Sequence, residues 1–119
     1  MWCTNTLQAT LIVYFYPERW VREGNAEAAA EVRQKAQARV DGLLDQLEAL
    51  LQSHGGPWIL GADHGALDAY AFTLCRWTRN FQGRKARDLP LLGAWLQRVA
   101  QRPAVQRVFA AEQLSAPLF

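Results

Sequence analysis

Val32, Ala36, Val40, Leu43, Leu44, Leu47, Leu50 and Leu51 recur at steps of three and four. At 3.6 residues per turn this spacing draws one apolar stripe along a single long helix beginning at Ala26, and the rest of the chain must cover that stripe. Ser53-His54-Gly55-Gly56-Pro57 stops the helix, with glycine at its end and proline beyond. Along it Glu31 and Lys35 make a favourable i,i+4 pair and Glu27 and Glu31 a repulsive one. Each contributes only tenths of a kcal/mol, which affects solubility rather than fold.

The second organising stretch runs from Gly61 to Trp77 and reads as a tight turn followed by a buried helix. Asp68, three residues past Gly65, is placed to accept the Gly65 N–H, which is half of a capping box. Gly65 has no hydroxyl for the return bond, yet glycine at an N-cap costs little relative to Ser or Thr. Leu67, Ala71, Leu74, Cys75, Thr78 and Phe81 continue one helical face, which predicts a central helix to about residue 82.

Leu7, Leu11, Tyr14 and Phe15 mark a helix over residues 2–16, which Pro17 ends by disfavouring α geometry at Tyr16. Glu18 to Asn25 reads as a loop, and Trp58-Ile59-Leu60 as a short apolar plug. Gln82 to Asp88 is a second loop. Pro90 opens a helix with Leu92, Trp95, Leu96 and Val99 inward. Arg102-Pro103 breaks it and begins a short last helix with Val105, Val108 and Phe109, and Ser115-Ala116-Pro117 is expected to end order. Five helices without a convincing strand predict an all-α helical bundle.

With 119 residues, half of them hydrophobic, one buried core is expected. Between Arg76 and Arg107 eight basic residues face Asp88 alone, but they show no aromatic interleaving and several fall at helical spacings that face water. A solvated face is the better account than a nucleic-acid surface. Cys3 and Cys75 form no C-x-x-C and no metal spacing, consistent with a reduced cytoplasmic chain. The apolar run Ala9 to Tyr16 is too short to span a bilayer, and the first charge is Glu18, so neither a membrane span nor a basic signal-peptide start is expected.

No self-sufficient active site emerges from the residues. His54 and His64 have no carboxylate or thiol at a ligand spacing, so no metal is expected. Ser53 and Ser115 sit at helix ends outside any G-x-S-x-G context. Cys75 precedes Arg76, but adjacent helical residues point about 100° apart, which favours a core thiol. Asp68 at the third helical position suits capping of backbone amides better than catalysis.

Taken together, Trp58-Ile59-Leu60-Gly61, Leu67-Asp68-Ala69-Tyr70, Arg76-Trp77, Leu91-Leu92-Gly93-Ala94-Trp95-Leu96 and Arg102-Pro103-Ala104-Val105 resemble the C-terminal helical domain of a bacterial cytosolic glutathione S-transferase. The resemblance covers nearly the whole chain. It departs at Gly65, where a Ser or Thr cap is usual in that family.

The resemblance implies a thioredoxin-like domain that binds glutathione and carries the catalytic Ser, Tyr or Cys, of which residues 1–119 show no trace. The chain is then expected to start inside the first helix of the helical domain, whether through an artificial boundary, an internal start or a genuinely separate half. It also implies a homodimer and an apolar electrophile as second substrate, lying against Gln8, Leu11 and Ile12 of the first helix and Trp77 and Phe81 of the motif helix. Trp77 rests on a close motif match, and the other positions on register counted from Phe15-Tyr16-Pro17. Ordinary core packing is the competing account of all five. Alone, the chain is expected to be inactive. The alternative is a non-catalytic protein-interaction module of the same fold.

Overall fold

The computed structural model describes residues 1–119, and the regular structure is helical. The only sheet-like pairing is an isolated antiparallel bridge between Trp58 and Gly61. A π-helical turn, Cys3–Gln8, runs directly into α1 (Ala9–Phe15), followed by a 3₁₀ turn, Pro17–Trp20. Then come α2 (Ala26–His54), α3 (Ala66–Arg76), a 3₁₀ turn Ala86–Asp88, α4 (Pro90–Ala100) and α5 (Pro103–Ala111). The chain is all-α, as its periodicities predict.

Contacts gather into two compact units, Met1–Leu44 and Asp45–Phe119, with α2 contributing residues to both. In the first unit Leu7, Leu11, Val40 and Leu44 are fully buried. The wide turn before α1 has a local cause. The Thr10 hydroxyl donates to the Thr6 carbonyl at 2.7 Å, occupying an acceptor within the ladder and favouring an irregular turn there. Tyr16 leaves the helical region at φ −130°, ψ 55° immediately before Pro17. Asn25 caps α2, its Oδ1 accepting the Ala28 N–H at 3.0 Å.

The second unit is built on α3 and α4, with Leu74, Leu92, Trp95 and Leu96 sealed from solvent. α4 begins at Pro90 with Leu89 as N-cap, a residue with no acceptor to offer. Glu48 of α2 fills that role, Oε1 accepting the Leu91 N–H at 2.9 Å and Oε2 the Leu92 N–H at 2.7 Å. A carboxylate at a helix N-terminus satisfies orphan donors and opposes the positive end of the dipole. Gly93 then packs on the neighbouring 3₁₀ turn so closely that a Cβ there would sit 2.6 Å from the Arg87 carbonyl oxygen.

Two expectations are corrected. Regular α3 stops at Arg76 rather than continuing to about residue 82. Beyond it the chain tightens into i→i+3 turns, with Trp77 N–H to Leu74 O, Thr78 N–H to Cys75 O and Phe81 N–H to Thr78 O. The buried Thr78 hydroxyl donates to Cys75 O at 2.7 Å and accepts the Ala86 N–H at 2.9 Å, and this non-local bond favours the tighter path. Order also continues past Ser115. α5 closes in a Schellman motif, Leu114 N–H to Phe109 O and Gln113 N–H to Ala110 O, with Gln113 at φ 54° where glycine is usual. Phe119 returns to stack edge-on against Phe72 at 6.0 Å, and its main-chain oxygen accepts from Arg87 Nη1 at 2.7 Å.

Candidate functional site

The loop between α2 and α3 aims the motif helix. His54 Nδ1 accepts the Gly56 N–H at 2.9 Å, which leaves Nε2–H to donate to the Ile59 carbonyl at 3.1 Å. Gly56 and Gly61 touch main chain to main chain. A Cβ at Gly56 would lie 2.6 Å from Gly61 C and O, and Gly61 itself sits at φ +131°, a region that only glycine occupies readily.

That loop delivers Ile59 to Asp68. Asp68 is 1% exposed, and its two oxygens take three donors. Oδ2 accepts the Gly65 N–H at 2.9 Å, while Oδ1 accepts the Ile59 N–H at 2.9 Å and the Trp95 indole N–H at 2.8 Å. The hydroxyl missing at Gly65 is replaced by main chain, since the Asp68 N–H bonds to the Gly65 carbonyl at 3.0 Å. A buried carboxylate of this kind is tolerated because its acceptor sites are used, and it ties loop, α3 and α4 at one point. It faces backbone and indole donors, with no solvent path for a substrate.

The five positions assigned to electrophile binding divide by unit. Gln8, Leu11 and Ile12 belong to the first, where Leu11 is fully buried while Gln8 and Ile12, one helical turn apart, keep accessible surface. Trp77 and Phe81 belong to the second, on the turns after α3. Phe81 is 3% exposed, and Trp77, the C-cap of α3, is partly open. Gln8, Ile12 and Trp77 are therefore the three with surface to offer a ligand.

Beside Trp77, Arg76 carries a buried Nε with no hydrogen-bond partner. Burial, followed by the nearby Arg79 charge, pushes its guanidinium below the ordinary arginine value. Arg79 Nη1 donates to the Arg76 carbonyl at 3.1 Å. The burial of the Arg76 Nε has no sequence signal, because it arises at the end of α3 where the chain tightens into turns. Both thiols are buried, and burial, opposed by the Met1 ammonium, raises the Cys3 thiol above its ordinary value. No three His, Cys, Asp or Glu side chains gather closely enough to hold a metal ion. No helix is long and apolar enough to cross a membrane.

The family model described as "Glutathione S-transferase, C-terminal domain" matches residues 13–112. The chain belongs to that family. A curated relative, "Glutathione S-transferase GstA" of Escherichia coli O157:H7, is 39% identical over 71 residues, covering 56% of this chain and 31% of that protein. The chain therefore aligns with about a third of that relative's length. No solved structure gives a significant match. The span shared with the glutathione S-transferase C-terminal domain includes the Asp68 turn, Trp77 and Phe81. Gln8, Leu11 and Ile12 precede it.

Proposed function

We propose that this chain is the helical half of a glutathione transferase, walling the site of an apolar electrophile that a thioredoxin-like domain outside residues 1–119 brings together with glutathione. In that reaction the glutathione sulfur bonds to an electrophilic carbon while the leaving group departs with its electron pair. The family match over residues 13–112 is the observation that carries the reading. The residues assigned to the electrophile are Gln8, Leu11 and Ile12 in the first unit and Trp77 and Phe81 in the second, with Trp77 as the principal contact. Leu11 and Phe81, being buried, act through the packing of their own units rather than by direct contact. Both thiols are buried, and in this reading neither activates glutathione. The working protein is a cytoplasmic homodimer, and the exposed aromatics Phe15, Tyr16 and Trp20 are surface available to an added domain.

The test is conjugation of 1-chloro-2,4-dinitrobenzene by residues 1–119 alone and fused to a glutathione-binding thioredoxin-like domain. The chain alone should give background and the fusion measurable turnover. Trp77→Ala in the fusion should raise KM for the electrophile several-fold with little change in KM for glutathione. Turnover by the chain alone, or an inert well-folded fusion, would overturn the reading.

The other reading, a non-catalytic interaction module of the same fold, draws on the basic stretch from Arg76 to Arg107. Much of that charge is occupied within its own unit. Arg84 pairs with Asp45 at 2.9 Å, Arg98 donates to Pro57 O at 2.8 Å and Arg102 lies over the Trp58 ring at 5.4 Å. This favours the transferase reading.

A further inference from the structure

The turns that carry Trp77 depend on a residue with no part in the electrophile reading so far. Trp77, Thr78 and Arg79 send their N–H groups to the carbonyls of Leu74, Cys75 and Arg76 at 3.1, 3.0 and 3.1 Å. These are three consecutive i→i−3 bonds where a continued α3 would use i→i−4. A 3₁₀ turn advances about 120° per residue and an α-helix about 100°, so each tightened residue swings its side chain by about 20°. The direction of Trp77 is therefore set by whatever holds these bonds in place.

Thr78 holds them from two sides. Its hydroxyl donates to the Cys75 carbonyl at 2.7 Å, doubling the bond that its own N–H makes there, and accepts the Ala86 N–H at 2.9 Å. Thr78 and Ala86 are each 1% exposed, so water has no ready access to either bond. Thr73, five residues earlier on α3, shows the ordinary behaviour. Its hydroxyl reaches back four residues to the Ala69 carbonyl at 2.9 Å, and the helix there stays regular. The difference at Thr78 is Ala86. That residue opens the 3₁₀ turn Ala86–Asp88, where Asp88 Oδ2 accepts the Lys85 N–H at 2.9 Å and Arg87 packs on Gly93 of α4. Thr78 thereby fastens the end of α3 to a turn that is itself fixed on α4.

We infer that Thr78 is a positioning residue for the electrophile: its hydroxyl, held between the Cys75 carbonyl and the Ala86 N–H, fixes the direction in which Trp77 meets the substrate. The inference rests on the transferase reading, in which Trp77 is the principal contact. The hydroxyl touches no substrate and acts through Trp77. Its removal leaves the Ala86 N–H a buried donor without a partner and frees the end of α3 to exchange between wider and tighter turns. Electrophile binding then weakens while the chemistry on glutathione is unchanged.

The test labels the 119-residue chain with 5-fluorotryptophan and assigns the Trp77 fluorine signal through Trp77→Phe. Thr78→Val should shift or broaden that signal, leave the signal of Trp58 in the loop before α3 in place, and speed amide exchange at Ala86. Thr78→Ser, which keeps the hydroxyl, should restore the Trp77 signal and the Ala86 protection. In the fusion to a thioredoxin-like domain, Thr78→Val should raise KM for 1-chloro-2,4-dinitrobenzene several-fold with kcat and the glutathione KM nearly unchanged, and Thr78→Ser should stay near wild type. A hydroxyl that only stabilises the fold would lower the denaturation midpoint and leave the Trp77 signal and the KM where they were, which would overturn the inference. So would a Thr78→Ser variant that behaves like Thr78→Val. Rapid exchange of the Ala86 amide in the wild-type chain, a measurement that needs no variant to fold, would overturn it as well. Trp77→Ala in the fusion separates this inference from the reading beneath it. If Trp77→Ala raises KM and folded Thr78→Val does not, the positioning role fails and the electrophile reading stands. If Trp77→Ala leaves KM unchanged, the electrophile reading fails and the role of Thr78 in it falls too, whatever the fluorine signal shows.

Discussion

The Trp95 indole N–H donates to Asp68 Oδ1 at 2.8 Å across 27 residues of chain, inside a carboxylate site that also holds the Ile59 and Gly65 amides. Three donors on one buried side chain make Asp68 the tie between the loop, α3 and α4. Asp68→Ala should orphan all three and destabilise the chain by about 3–5 kcal/mol, each buried unsatisfied donor costing about 1–3 kcal/mol. Trp95→Phe leaves Asp68 two donors and removes the indole's packing, so about 2 kcal/mol is expected. Urea unfolding followed by circular dichroism measures both. A loss under 1 kcal/mol for Asp68→Ala would show that the network is not the tie described.

Glu48 does for α4 what Leu89 cannot. Replacing it with Ala exposes the Leu91 and Leu92 amides at the helix start and should cost about 1–2 kcal/mol. Glu48→Gln keeps one good acceptor and should fall between the two. Amide hydrogen exchange should speed up at Leu91 and Leu92 in Glu48→Ala, and unchanged protection there would count against the cap.

Two glycines should respond to alanine in opposite directions. At Gly56 the new Cβ would meet Gly61 main chain at 2.6 Å, so Gly56→Ala should destabilise by about 2 kcal/mol or more. At Gly42, inside α2, a Cβ meets nothing within 4 Å, and Gly42→Ala should stabilise by about 0.5–1 kcal/mol through helix propensity and a less free unfolded chain. Melting temperatures of the two variants decide the matter, and shifts of the same sign would contradict it.

Burial raises the Cys3 thiol, so its folded value lies above the unfolded one. A group shifted this way contributes its full stability while both states are protonated, below the unfolded thiol value. It loses that contribution as pH rises through the folded value. Denaturant midpoints should therefore fall on the alkaline side, less so in Cys3→Ala. Labelling of Cys3 by a disulfide reagent at pH 8 should be slow in the folded chain and fast in urea. Rapid labelling of the native protein would show the thiol to be accessible and ionised.

Much of the fold was legible because its signals are local. The stripe from Val32 to Leu51, Pro17 after Tyr16 and Pro90 and Pro103 at helix starts each act over one or two turns. The Gly65–Asp68 bond spans three residues and follows from spacing alone. Asn25 was read as loop punctuation, although its side chain caps α2 by the same local logic. The assignment of α3 to about residue 82 failed at Arg76 because apolar spacing persists through Thr78 and Phe81 while the backbone does not. The Ala86 N–H, eight residues on, donates to the Thr78 hydroxyl oxygen and stabilises the tighter turns.

Element type and the principal helix boundaries came from short-range periodicity and punctuation, since a helix's hydrogen bonds and its apolar face are settled within four residues, while family kinship came from the resemblance of several short motifs taken together. Long-range partners were settled by packing. Asp68 reaches Trp95, Glu48 reaches the start of α4 and Phe119 stacks on Phe72 because the loops aim those segments at one another, and no spacing rule encodes that aim. Surface character was settled the same way. Leu11 and Ile12 are adjacent aliphatics in the sequence, yet one is sealed and the other keeps accessible surface.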